Sequence, residues 1–214
     1  MTKKQKAAEV AARLATLYPD APCALDWQGQ PWKLLVMGRL SAQCTDARVN
    51  IVCKDLFRAF PTPEALANAS QGEVEAIIRP CGLFRTKAES IRLACQKLVG
   101  EYGGTLPSDM DALLTFPGVG RKIANLLRGD VFHLGGIVAD THCIRIAARL
   151  GLSAKGEKDP LKTERALTPL LPENEQSDFC HRLVMFGREV CTARSPACGD
   201  CPLLDLCKHT DKKK

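Results

Sequence analysis

The stretch LLTFPGVGRKIANLL, residues 113–127, decides how the rest of the chain is read. A helix ends at Phe116-Pro117, a tight turn uses Gly118 and Gly120, and a new helix opens at Arg121. Two glycines around one apolar residue let another backbone approach closely, and the free N–H groups of the new helix point outward toward any anion placed there. The bland alternative is a plain helix–turn–helix connection with no ligand. The Arg-Lys pair that follows the second glycine at once weighs against it, because it adds two cations to a turn already suited to phosphate. The pattern is that of a helix-hairpin-helix contacting a nucleic-acid backbone without regard to sequence.

Lys122 falls in the first turn of the second helix. A helix N-terminus is a poor place for a cation, and neighbouring Arg121 adds to the effect; both favour the neutral amine that a nucleophile requires. Eighteen residues on comes Ala139-Asp140-Thr141-His142. Asp140 is placed to cap the helix THCIRIAARLGL, and alone that is its better reading. Following Lys122 after one helix and a return loop, it gains a second: a carboxylate beside a nucleophile stabilises cationic charge as a leaving group departs. His142 reads as structural rather than as a general base.

Outward from this centre the chain is helical throughout. Ala7, Val10, Ala11, Leu14 and Leu17 share one face of an opening helix, and Pro19 and Pro22 break it. PWKLLVMGRLSAQ, ARVNIVCKDLFRAF, KAESIRLACQKLV, LKTERALTPLL and SDFCHRLVMFGREVC are further helices. SDMDALLTF begins with a serine N-cap. Alternating β-branched runs are absent, so the expected class is all-α with about ten short helices. The lysine-rich end, DKKK, reads as disordered. Of 214 residues, 45% are hydrophobic and the net charge is +6, a basic excess that suits a polyanion but also many ordinary proteins. The N-terminus lacks a secretory apolar core, and no run approaches the ~20 residues that span a bilayer; an intracellular protein is expected.

In that setting eleven cysteines are not a disulfide framework. Cys23, Cys44, Cys53, Cys81, Cys95, Cys143 and Cys180 are scattered singly among apolar neighbours and read as small buried hydrophobes. Cys191, Cys198, Cys201 and Cys207 instead crowd into seventeen residues with gaps of six, two and five. Structural zinc usually takes two close pairs, whereas cubane clusters accept uneven spacing. A cluster is favoured and zinc stays open.

LSAQCTD (40–46), GLFRTKAESI (82–91), FPGVGRKIAN (116–125), ADTH (139–142) and the C-x6-C-x2-C-x5-C end together resemble the endonuclease III family over almost the whole chain, in order. The resemblance implies a two-lobed helix-hairpin-helix DNA glycosylase fold: a six-helix barrel over 24–134, and a lobe joining 1–23 to 135–214 around a [4Fe-4S] cluster held by Cys191, Cys198, Cys201 and Cys207. It implies a bifunctional base-excision glycosylase and AP lyase for oxidised pyrimidines, with Lys122 as nucleophile and Asp140 assisting. Gln43 would fill the gap left by a flipped nucleotide and Leu83 would wedge the opposite strand. Gly118, Val119, Gly120, Arg121 and Arg194 would meet the DNA. The implied partner is duplex DNA with a damaged pyrimidine or an abasic site, bound by a monomer in the cytoplasm, at the nucleoid if bacterial. The chain departs from the family pattern at Arg39, Leu114, Arg128-Gly129, and at Ser195 and Ala197, where basic residues are usual. Two readings stand beside the main one: an AP lyase with weak glycosylase activity, and a non-catalytic cluster-bearing DNA-binding or redox-sensing module.

Overall fold

A computed structural model describes residues 1–209; the DKKK end lies outside them. Among these residues the regular structure is helical, with eleven α-helices, four short 3-10 turns and no strand. The chain divides into two compact units, Cys23–Phe132 and the pair of segments Met1–Pro22 and His133–Lys214.

The continuous unit is organised on α2 (Pro31–Leu40). Proline sits at its first turn, where a missing N–H costs nothing. Trp32, Leu34, Leu35, Val36, Met37 and Leu40 are all buried, and a helix apolar on every side must be surrounded. Its neighbours are α3 (Asp46–Ala59), α6 (Phe84–Tyr102) and α8 (Arg121–Phe132). The approach of α8 is close: a Cβ at Gly38 would stand 3.2 Å from an Ile123 methyl.

Two helices that the sequence reading did not anticipate, α4 (Pro63–Asn68) and α5 (Gln71–Ile78), also pack on α6. Their starts were written in the chain. Thr62 caps the first, ahead of Pro63, and Ser70 with Glu73 forms a reciprocal capping box on the second. The short α7 (Met110–Leu114) is capped by Asp109, not by the serine expected there; Asp109 Oδ1 accepts from Ala112 N at 2.9 Å. Arg128 and Gly129 do not interrupt α8. Gly129 is buried and Arg128 donates to the Ser108 carbonyl at 2.8 Å, so the helix runs through.

The second unit packs α1 (Lys3–Leu17) on α11 (Gln176–Glu189), α11 on α9 (Thr141–Leu150), and α9 on α10 (Pro160–Leu167). Ala7, Val10, Ala11 and Leu14 are buried as their spacing requires. Leu17 is not: at the frayed end of α1 it is 44% exposed, while Tyr18 turns inward and its hydroxyl donates to Glu189 at 2.9 Å. Among the singly scattered cysteines Cys53, Cys81, Cys95, Cys143 and Cys180 are buried, but Cys23 and Cys44 are only half-buried, since both lie in connections rather than on a helix face.

Candidate DNA-repair site and cluster segment

The hairpin is built almost entirely from local interactions. Phe116 is buried against Tyr102, with ring centroids 5.3 Å apart, and its carbonyl accepts from Val119 N at 3.0 Å. Gly118 has φ +77°, which a side chain tolerates poorly. A Cβ there would also stand 2.6 Å from Arg39 Nε and 2.9 Å from Ser90 Cβ. Arg39, a departure from the family pattern, thus packs under the turn, its Nε buried without a hydrogen bond. The Gly120 carbonyl accepts from Ile123 and Ala124, opening α8. Gly118, Gly120, Arg121 and Lys122 are exposed, whereas the Val119 side chain is buried, leaving only its backbone to face a ligand.

Two further exposed residues stand out in the same unit. Gln43 (φ +54°) and Leu83 (φ +47°) both hold left-handed backbone, and Leu83 is 55% exposed. Left-handed conformations cost a residue with a side chain about 1–2 kcal/mol, so surrounding structure must impose them. That structure includes Lys87. Its side chain is fully buried, and its ammonium donates to the Leu40 carbonyl at 2.9 Å and to the Cys81 carbonyl at 2.8 Å. One cation therefore fastens the end of α2, which leads to Gln43, to the 3-10 turn Arg79–Cys81, which leads to Leu83. Burial lowers the Lys87 pKa below its ordinary 10.5, and Arg39 adds to the effect, opposed by Cys44 and Cys81. The sequence reading gave Lys87 no role. Its signal was there: it falls on the apolar stripe continued by Ala88, Ile91, Ala94, Cys95 and Leu98. Next in the chain after Leu83, the Phe84 ring is approached by Arg79 and Arg85, each guanidinium 5.7 Å from its centroid.

In the other unit Asp140 caps α9: its Oδ1 accepts from Cys143 N at 2.7 Å, as the sequence required. His142 Nδ1 lies 3.2 Å from Arg145, a residue engaged with the cluster segment, which fits the structural reading of His142.

That segment, residues 191–207, has little regular structure of its own. Arg145 donates to the Cys191 carbonyl at 2.9 Å and to Gly187 at 3.1 Å. Arg149 reaches the carbonyls of Thr192 at 2.7 Å and Ala193 at 3.0 Å, and the Cys191 sulfur at 3.2 Å. From α1, Lys6 donates to Leu150 and Leu206 at 3.0 and 2.9 Å, and Arg13 holds Asp205 through two bonds of 2.7 and 3.0 Å. None of these braces was anticipated, because each joins residues more than forty positions apart.

Cys191, Cys198, Cys201 and Cys207 line one small pocket with Arg149 and Leu204. No disulfide joins them. Burial pushes the Cys201 thiol pKa up, and its three companions add to the shift. Four cysteines lining one small pocket supply a sulfur donor set that fits an iron–sulfur cluster. Arg194 is exposed in the loop between the first two cysteines.

Comparison with known proteins agrees. Residues 36–173 match the HhH-GPD superfamily of base excision DNA repair proteins, and residues 191–207 match the iron–sulfur binding domain of endonuclease III. An endonuclease III from Synechocystis sp. is 45% identical over 96% of this chain and 93% of its own length. One from Bacillus subtilis is 39% identical over 94% and 91%. The structure of an endonuclease III trapped as a covalent intermediate with DNA superposes with a TM-score of 0.90 at 41% identity, covering 97% of each chain. Helical architecture, hairpin, four-cysteine segment and full-length similarity converge: the chain belongs to the endonuclease III family of DNA glycosylase/AP lyases and carries that family's [4Fe-4S] cluster.

Proposed function

We propose that this base-excision-repair glycosylase and lyase removes oxidised pyrimidines from duplex DNA and nicks the resulting abasic site through a lysine Schiff base. The observation that carries the reading is Lys122, exposed in the first turn of α8 immediately after the glycine hairpin. A group at that position can reach a sugar whose phosphate is held by the hairpin's backbone N–H groups. The target atom, C1′ of a stacked nucleotide, is out of reach until the nucleotide is flipped, which costs a few kcal/mol. The exposed Gln43 and Leu83 are assigned to fill the vacated stack and wedge the opposite strand. The proposed DNA contacts are the hairpin's Gly118, Val119 and Gly120 with Arg121, and Arg194 beside the cluster.

The Lys122 amine attacks C1′ as the glycosidic bond breaks, and the base leaves with the bonding electrons and takes up a proton. Asp140 stabilises the positive charge that develops on the sugar; its second carboxylate oxygen accepts no bond among the described residues. The ring opens to a protonated Schiff base, which acidifies the C2′ proton. Loss of that proton expels the 3′-phosphate by β-elimination, and water then hydrolyses the imine to free the lysine. When bound, the cluster supplies four iron–thiolate bonds that order residues 191–207 and so place Arg194; it takes no part in bond breaking. The protein is read as a monomer working on DNA in the cytoplasm, at the nucleoid if the cell is bacterial.

The test is incubation with abasic, thymine-glycol and undamaged duplexes, scoring nicking and borohydride trapping of each. The reading expects both on the first two and neither on the third. Nicking of abasic DNA alone would reduce the protein to a lyase. Asp140→Asn, which keeps the helix cap, is expected to slow base removal more than cleavage of a preformed abasic site.

A further inference from the structure

Arg39 stands in the last turn of α2, where the helix dipole favours a cation. That position accounts for its charge but not for what its guanidinium does. The carbonyls that end α2 already have donors. Met37 and Arg39 accept from the N–H groups of Ser41 and Ala42 at 2.9 and 3.5 Å. Gly38 accepts from the Ser41 hydroxyl at 2.8 Å, and Leu40 from the Lys87 ammonium at 2.9 Å. The Arg39 side chain runs instead to the hairpin. A Cβ at Gly118 would stand 2.7 Å from its Cδ and 2.6 Å from its Nε, so the guanidinium lies against that glycine.

The group is half-buried and unmatched. Its Nε is buried without a hydrogen bond, and no acceptor or carboxylate meets it among the described residues. Ser90, packed on the same side of the turn, donates its hydroxyl to the Thr86 carbonyl at 2.6 Å. Lys87 adds a second cation. Arg39 is close enough to disfavour its charged form, and the groups that oppose this, Cys44 and Cys81, are thiols. A buried donor on a charged group is costly to leave unpaired. Two cations beside a turn that offers backbone N–H groups call for an anion.

We propose that Arg39 is a further DNA-binding residue, whose guanidinium donates to the phosphate received by the Gly118–Gly120 turn. One phosphate is then held by the turn's backbone and by Arg39 together. That phosphate's place at the hairpin is taken from the function proposed above; the role of Arg39 is additional to it. Arginine suits the task better than lysine. Its planar fork meets two phosphate oxygens at once, and its weaker hydration tolerates a half-buried position. Lodged against Gly118 before DNA arrives, it has little freedom left to lose on binding. A phosphate contact carries no information about the base, so its effect should be the same for every duplex.

The experiment uses the full chain with its cluster loaded and follows binding by fluorescence anisotropy from about 50 to 200 mM salt. The duplexes are undamaged, thymine-glycol and a tetrahydrofuran abasic analogue. Arg39→Leu should raise Kd about tenfold at low salt on all three, and lower the slope of log Kd against log salt by about 0.9. Arg39→Lys should restore the slope but only part of the affinity, since an ammonium is not a fork. Arg39→Met keeps an unbranched stem and should behave like Arg39→Leu; thermal unfolding and cluster absorption confirm that each variant is folded. A single methylphosphonate is then moved along the damaged strand. One linkage should weaken the parent about tenfold and the folded apolar variant hardly at all.

An unchanged salt slope in both apolar variants overturns the proposal. So does a loss confined to the thymine-glycol duplex, which would make Arg39 a reader of the base. Equal sensitivity of parent and variant to every methylphosphonate overturns it as well. Failure of the lyase reading would show separately, as untreated parent that binds DNA but cannot be trapped by borohydride.

Discussion

Residues 115–122 and residues 191–207 are both irregular stretches assigned to DNA, yet they are held in opposite ways. The hairpin is held by its neighbours in sequence: Val119 to Phe116, Ile123 and Ala124 to Gly120, with Phe116 buried beneath. The cluster segment buries little beyond Leu203 and Leu206 and is held from afar by Lys6, Arg13, Arg145 and Arg149. A turn fixed by short-range bonds is preorganised whenever its helices form. A segment fixed by distant side chains and metal–thiolate bonds exists only when the whole unit has assembled. The first is suited to hold a nucleophile to a fraction of an ångström; the second is suited to present charge.

The sharpest test of that contrast is Lys122→Ala. Borohydride trapping should vanish and strand cleavage should drop by at least about 10³-fold, while affinity for abasic duplex stays within a few-fold, because the hairpin backbone is untouched. Equal trapping by the variant would remove Lys122 as nucleophile.

Next in size is loss of a cluster ligand. Metal-coupled ordering of small segments is worth on the order of 10 kcal/mol. Cys198→Ala should therefore bleach the visible absorption and expose the amides of residues 191–207 to hydrogen exchange, leaving protection across α2 and α8 intact. Deprotection of α2 to the same degree would show that the two regions are not independently held.

Gly118→Ala should cost about 1–2 kcal/mol through its positive φ alone. It should also push against Arg39 and Ser90. Thermal unfolding reads the first effect, and weakened abasic-DNA binding with normal cluster content reads the distortion of the turn. The smallest change is expected from Ser195→Lys with Ala197→Lys. Each new phosphate contact should steepen the salt dependence of log Kd by about 0.9. An unchanged slope would mean that the cluster loop faces away from DNA.

How much of this was legible in the chain follows the same division. The hairpin, the Asp140 cap and the cysteine spacing were readable because each is a local pattern. The starts of α4 and α5 were equally local, in Thr62-Pro63 and in Ser70 with Glu73, but short helices lack the periodicity that draws notice. Leu17 misled because helical spacing does not say where a helix frays. Lys6 and Lys87 could not be ranked from composition, since lysine is rarely buried; only the fold reveals which carbonyls need a donor. The half-exposure of Cys44 likewise depends on a turn rather than on a helix face.

The brace between α1 and the cluster segment bears on how the molecule is made. Lys6 and Arg13 leave the ribosome first, but their partners, the carbonyl of Leu206 and the carboxylate of Asp205, are translated some two hundred residues later. Residues 23–132 are contiguous and can close on their own while synthesis continues. The opening helix meanwhile must wait as an amphipathic segment with Ala7, Val10 and Leu14 uncovered. Iron delivery to the last cysteines and the docking of α1 are then late and coupled events. Cells short of iron should accumulate chains whose middle is folded and whose two ends are open to proteases.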